Sequence, residues 1–260
     1  MGIGTWGGVF HTGAMTPPSS ALAVDSPLLD NIVWHALHGP HRAFREGTGG
    51  AARYQSDVAV FAALPDTPTA ADWDDMAALV RTDGAATLLQ PPIEEPESWT
   101  RVMVIPATQM VATEVDGALD PDVVDLGASD VGEMVALVEA TKPGPFARRT
   151  VELGGYVGIR AVDGSLAAMA GHRMRVPGFV EVSAVCTDPR SRGQGLAERL
   201  VRHVVARAAA AGERVILHAA ATNEGAIRLY ERMGFEHRRD IEAVSLTPPA
   251  APPSTRPPIC

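Results

Sequence analysis

The chain has 260 residues, 46% of them hydrophobic and 20% charged, with a formal net charge of −9. That is room for one large domain or two small ones with a buried core, and the composition is globular rather than disordered. No run approaches the ~18 consecutive apolar residues of a membrane span, and two cysteines, Cys186 and Cys260, are too few for a disulfide framework or a cysteine-rich zinc site. A reducing, cytoplasmic setting is the expectation. The acidity is uneven: residues 1–119 hold 5 arginines and no lysine against 14 Asp and Glu, whereas residues 120–260 hold 17 basic against 17 acidic residues. Without a basic stripe, nucleic-acid binding is a poor fit, because phosphate neutralisation supplies most of that affinity.

In chain order, residues 1–24 read as a flexible extension without the basic start of a secretory signal, since Arg42 is the first basic residue. Residues 25–119 read as a small α/β domain. Leu28–Ala36 has helical spacing, Val58–Leu64 suits a strand, and Ala70–Val80 is an amphipathic helix closed by Gly84. Ala85–Leu89 and Arg101–Ile105 read as short strands around a proline-rich loop. The echo of Asp75–Val80 in Glu133–Val138 hints at a degenerate duplication of the domain that follows.

Residues 120–245 are more regular. Ser129-Asp130 caps a helix reaching about Ala140, stopped by Pro143-Gly144-Pro145. Gly155–Val162 and Leu166–Met174 form a hairpin across Asp163-Gly164, and the strand Phe179–Thr187 follows. A helix over 195–211 carries apolar pairs every four residues from Leu196/Ala197 to Ala208/Ala209. Val215–Ala219 is a short buried strand, and Asn223–Met233 is a helix closed by Gly234. Residues 246–260 are a proline-rich tail expected to be disordered.

The chemistry concentrates in Val185-Cys186-Thr187-Asp188-Pro189-Arg190-Ser191-Arg192-Gly193-Gln194-Gly195-Leu196-Ala197. This is a strand, a tight loop and a helix start, with two glycines and two arginines at the one place where backbone N–H groups lack internal partners and attract phosphate. A plain strand-to-helix turn is the alternative. A dinucleotide fingerprint fails because Glu198 stands where its third glycine belongs, and no Gly-Lys-Ser/Thr follows for a P-loop. Further on, Asn223-Glu-Gly-Ala-Ile-Arg-Leu-Tyr230-Glu-Arg-Met-Gly-Phe235-Glu236 puts Asn223 and Tyr230 two helical turns apart, on one face.

Together, Arg190-x-x-Gly193-x-Gly195 and the Asn223–Glu236 stretch resemble the two signatures of the GNAT N-acetyltransferase superfamily, over about residues 120–245. The resemblance implies a mixed α/β fold: a mostly antiparallel sheet flanked by helices, preceded here by the smaller α/β domain. It implies acetyl-CoA as co-substrate, no metal, and transfer of an acetyl group to a primary amine by direct attack in a ternary complex. By the same resemblance Val185, Cys186, Thr187, Arg190, Arg192, Gly193, Gln194, Gly195, Leu196, Ala197, Asn223 and Tyr230 hold the cofactor. The backbone near Val185 and Thr187 polarises the acetyl carbonyl, and Tyr230 protonates the departing thiolate.

Strand alternation sets Glu181, Ser183 and Val185 on one face, making Glu181 the first candidate base, with His172 and Glu152 behind it. Cys186, on the other face, reads as a packed hydrophobe rather than a nucleophile. His35, His38 and His41 read as surface or capping residues rather than metal ligands. The four tryptophans read as core anchors. The acidic first half favours, through steering, a cationic acceptor. A non-catalytic acyl-CoA-binding module, a longer acyl donor and a peptide acceptor stay open, as does a monomer against a homodimer.

Overall fold

The computed structural model describes residues 24–250. The first half contains α1 (Ile32–Leu37), a small antiparallel sheet of β1 (Arg45–Glu46), β2 (Ala52–Tyr54) and β3 (Ala62–Ala63), then α2 (Ala70–Leu79), β4 (Ala86–Gln90) and β5 (Thr100–Ala112). The second half contains β6 (Val123–Asp125), α3 (Val131–Thr141), β7 (Val157–Arg160), β8 (Leu166–Val176), β9 (Phe179–Thr187), α4 (Leu196–Ala210), β10 (Arg214–Ala220), α5 (Glu224–Met233) and β11 (Phe235–Thr247).

Eight strands make one sheet in the order β4-β11-β5-β10-β9-β8-β7-β6, antiparallel throughout except between β9 and β10. This corrects the division expected at residue 119. Strand β5 of the first half lies inside the sheet between β10 and β11, and β4 forms its outer edge against β11. The first half therefore completes the large sheet instead of folding as a degenerate copy of it, and its small sheet is tied on by a bridge from Phe61 to Thr87.

Two sequence features hid the full length of β5 and the whole of β11. Pro106 interrupts β5, and it sits where the ladder to β10 stops: its carbonyl accepts the Ala221 N–H, and pairing proper begins at Ala107. A proline is tolerated there because its missing N–H falls at the end of a ladder. The run Glu236-His237-Arg238-Arg239-Asp240 masks β11, which continues to Thr247 and past the domain end expected at 245. The strand expected over 58–64 contracts to Ala62–Ala63. Residues 1–23, Trp6 and the tail from 251 onward lie outside the described residues.

Burial follows the pattern of each element. On one sheet face α4 packs Leu196, Leu200, Val201, Val204 and Val205 against Val180, Val182, Val215 and Leu217, with Tyr230 of α5 in the same cluster. On the other, Ile32, Val33, Ala36 and Leu37 of α1 meet Met174, Val176, Phe179 and Ile216, and Met134, Leu137 and Val138 of α3 meet Met169 and Cys186. Trp73 and Trp99, with ring centroids 5.0 Å apart, pack with Leu88, Val244 and Leu246. Asp72 completes a capping box with Thr69, and Asp75 accepts the Gly50 N–H. Among the described residues no helix is long and apolar enough to cross a membrane.

The three histidines go to three different partners. His35 faces Asp66, His38 Nδ1 meets the Trp34 carbonyl, and buried His41 bonds through Nδ1 to the Tyr54 hydroxyl at 2.8 Å. Burial, aided by the nearby Arg175 charge, pulls the His41 pKa down to about 4 although Glu181 opposes this. The unfolded chain takes up that proton near pH 6.5, so the contribution to stability is complete above about 6.5 and is lost as pH falls toward 4. Thermal melts from pH 7.5 to 4.5 should show that loss, with a shallower decline in His41→Gln. The insertion of β5 makes a second test: a fragment starting at residue 120 lacks the strand between β10 and β11, and circular dichroism should find it without a cooperative melt.

Candidate active site

Parallel pairing of β9 with β10 lasts for three residues and ends at Glu181 opposite Ile216. Beyond it β10 stays with β5 and β9 stays with β8, so the two strands fork. Residues 182–187 of β9 and 217–220 of β10 line a cleft of about 380 Å³ between the prongs, which extends to Arg192, Asn223, Ala226 and Tyr230 on the α4/α5 side and to Thr141–Pro143 and Arg173.

Two opposed bulges shape the fork. Ala184 and Val185 of β9 face the single residue Ala170, and Arg173 and Met174 of β8 face the single residue Glu181. Bulges re-aim side chains, and here Ala184 takes a positive φ of 53° that costs a non-glycine residue about 1–2 kcal/mol. The bulge also corrects the expected alternation. Val185 packs with Val180 and Val182 toward α4, on the face opposite Glu181, while Ala184 and Cys186 turn toward α3.

At the tip of β9, Asp188 accepts the Arg190 N–H and pairs with its guanidinium, so Arg190 is tied within the loop. Arg192 lines the cleft and pairs with no carboxylate among the described residues. Gly193 and Gly195 both have positive φ, 79° and 72°, and a Cβ on either would meet nothing within 4 Å. That left-handed backbone leaves open room in front of the α4 N-terminus, where unpaired N–H groups and the helix dipole favour phosphate oxygens. Gln194 is exposed, Leu196 is buried in the core under the loop, and Ala197 lies in the first turn. Asn223 caps α5, its Oδ1 accepting the Ala226 N–H, which leaves its amide N–H groups for the cleft. Tyr230 is buried by its ring, and its hydroxyl bonds to no described residue but is not sealed from solvent. Burial raises its pKa to about 12.

Comparisons with known proteins place the chain in a family. A GNAT-family protein from Novosphingobium aromaticivorans, assigned as an acetyltransferase, is 41% identical to this chain, matching over 86% of this chain and 100% of its own with a TM-score of 0.78. This chain belongs to the GNAT family. A GCN5-related N-acetyltransferase from Kribbella flavida, 22% identical over 85% of this chain and 95% of its own, shares the fold at a TM-score of 0.56. The pattern of the FR47-like protein family matches residues 156–244. No curated protein matches the chain.

The α1/α3 face of this GNAT fork carries a buried polar row that spacing alone did not suggest. Glu181 is fully buried and accepts from Arg173 through Nε at 3.0 Å and through Nη2, and from His218 Nδ1 at 2.7 Å. The row continues from His218 Nε2 to the Gln109 amide at 2.9 Å, and from Gln109 Oε1 to Arg238 at 2.7 Å. Arg238 also binds Asp30 and the carbonyls of Val24 and Ser26, tying the N-terminal segment to β11. Although burial opposes ionisation, Arg173 and His218 together outweigh it and hold the Glu181 carboxyl well below its ordinary range.

The geometry therefore changes the role expected of Glu181. A carboxylate with both oxygens occupied and a depressed pKa is a weak proton acceptor near neutral pH. The runners-up fare no better. His172 is brought down to about pH 4 by burial and then by Arg175, and Glu152 is held by Arg149 outside the cleft. Burial pushes the Cys186 thiol up to about 11, against thiolate chemistry. The expected bias toward a cationic acceptor is also reversed locally: no Asp or Glu lines the cleft, whereas Lys142, Arg173 and Arg192 do.

Arg173 and His218 went unread, although each left a signal. His218 interrupts the apolar run Val215–Ala220, and Arg173 stands between His172 and Arg175 in a strand whose first half is apolar; a charge or imidazole inside a sheet has to find a partner. Gly193→Glu should abolish binding of the family's acyl-CoA donor in a calorimetric titration, by placing a carboxylate where phosphate oxygens would sit. The melting temperature should fall by only a few degrees, because the space is open and the left-handed strain is about 1–2 kcal/mol.

Proposed function

We propose that this GNAT protein transfers an acetyl group from acetyl-CoA to a primary amine by direct attack within a ternary complex. The observation that carries the reading is the fork: a strand whose edge toward β10 is unpaired along 182–187, opening at one end on a glycine loop before a helix N-terminus and lined by Tyr230 within. An unpaired strand edge offers the N–H and C=O groups that a pantetheine arm needs, and the open space at Gly193 and Gly195 suits a pyrophosphate. Arg192 adds charge there, and the amide of Asn223 faces the same cleft.

The chemistry divides between the two sheet faces. The nitrogen of the acceptor forms a bond to the acetyl carbon as the bond from that carbon to sulfur breaks. Backbone N–H groups at the Ala184–Val185 bulge are placed to stabilise the charge that develops on the carbonyl oxygen. Tyr230 stays protonated across the physiological range and donates its hydroxyl hydrogen to the departing sulfur, and the second proton that the nitrogen sheds as the amide forms restores the phenol. The ammonium proton passes to the Glu181–His218 pair acting as a unit. Glu181 fixes the imidazole through Nδ1, while Nε2 gives up its bond from Gln109 to take the proton. Glu181 is thus a positioning residue, and His218 is the group that meets the proton.

Acetyl-CoA turnover with an amine panel, followed by release of free thiol, tests the reading. Tyr230→Phe should lower kcat on the order of 100-fold while the calorimetric Kd for acetyl-CoA moves less than about twofold. Unchanged kcat would remove the phenol from the mechanism. One tight acetyl-CoA site with no transfer to any amine would point instead to a non-catalytic acyl-CoA-binding module.

A further inference from the structure

On the far side of the fork, the surroundings of Arg173 differ from those of every other arginine in the cleft wall. This side chain is only 11% exposed and lines two cavities at once: the cleft, and a second hollow of about 240 Å³ walled by Ala59, Val60, Phe61, Pro145, Phe146 and Thr150. Its guanidinium lies 4.9 Å above the Phe61 ring, which fixes its plane. Nε and Nη2 are committed to Glu181. Nη1 bonds to no described residue, and Arg173 keeps its small exposure while lining both cavities. Among the described residues, no Asp or Glu lines either cavity.

We propose that Arg173 is a specificity residue for an acceptor that carries a carboxylate beside its amine, an amino-acid-type substrate, with an apolar side group filling the hollow against Phe61 and Phe146. This deepens, and rests on, the acetyl transfer proposed above. Arginine has five N–H donors in a rigid fork, enough to hold Glu181 through one edge and a second carboxylate through Nη1. The charges place themselves: the acceptor carboxylate at Nη1 leaves its ammonium to face His218, which lines the cleft with Arg173 at the base of the fork. Cofactor phosphates do not account for Arg173, because the glycine loop and Arg192 lie at the other end of β9. The hollow is otherwise apolar, with Thr150 engaged by the Val58 carbonyl and the Ala147 N–H, so it suits a hydrocarbon group and not a second charge.

The test compares amino acids with their decarboxylated twins, leucine against isoamylamine and phenylalanine against phenethylamine, as acceptors at saturating acetyl-CoA. The expected result is a kcat/KM higher for the acid by on the order of 10- to 100-fold, the range for a charge-assisted hydrogen bond. Arg173→Lys keeps the charge that Glu181 needs but loses the fork. It should shrink the acid-to-amine ratio toward one, mainly through KM for the acid, with acetyl-CoA affinity unchanged. A merely structural arginine would lower both members of each pair alike. If Arg173→Lys does not fold, the ratio in the native protein decides.

Equal or better turnover of the decarboxylated twins overturns the proposal and leaves acetyl transfer standing. Acetyl-CoA binding with no turnover of either member of any pair also overturns it, and transfer to another amine of the panel then decides whether the transferase reading stands. Loss of acetyl-CoA binding itself would overturn the underlying transferase reading instead.

Discussion

A carboxylate with no access to solvent sits where two parallel strands stop pairing, and much of this molecule is arranged to keep it there. Glu181 is the last residue of β9 to face β10, and its charge is tolerable at zero exposure because Arg173 and His218 reach it from the strands on either side. A lone ionised carboxylate at such depth would be expelled or neutralised, and removing either partner would cost about 3–5 kcal/mol. The cluster therefore fixes where the fork begins. Past it the prongs are free to separate, which leaves backbone groups of 182–187 without a sheet partner and turns a defect in the ladder into a binding cleft.

The fork opens on two chemically unlike faces. Toward α4 and α5 lie open glycine backbone, a helix N-terminus, a capping asparagine and a phenol, all suited to a phosphate-bearing thioester. Toward α1 and α3 lie the guanidinium, the imidazole and the apolar hollow. The two bulges join these faces, since each adds a residue to one strand and turns the next side chain through the sheet. Val185 reaches the α4 core because of one bulge, and Arg173 reaches Glu181 because of the other.

The first half of the chain contributes to both halves of this arrangement without resembling a second catalytic domain. Strand β5 backs β10, so the prong that carries His218 is held in place by residues more than a hundred positions earlier. Gln109 on the same strand bonds His218 directly, and Arg238 extends the connection to the N-terminal segment. Residues 59–61 then close the hollow, held to the 147–150 turn by the Thr150 hydroxyl and by the Arg149 N–H on the Asp57 carbonyl. The acidic residues of this half stay out of the cleft wall, so their charge says little about what binds inside.

Read as sequence alone, this protein already disclosed the elements governed by local rules. The Gly193–Gly195 loop, the caps of α4 and α5, the hairpin of β7 and β8, and the pairing of Asn223 with Tyr230 all follow from residues a few positions apart, and with them came the family and the loop that would receive a phosphate. What the sequence concealed is non-local. The place of β5 between β10 and β11 depends on pairing across more than a hundred residues, and its own pattern is broken by Pro106. The face of Val185 depends on a bulge that no alternation rule anticipates. The standing of Glu181 depends on which cation and which imidazole neighbouring strands bring to it. A carboxylate's reactivity is set by burial and charge partners in space, and those exist only once the sheet has closed around it.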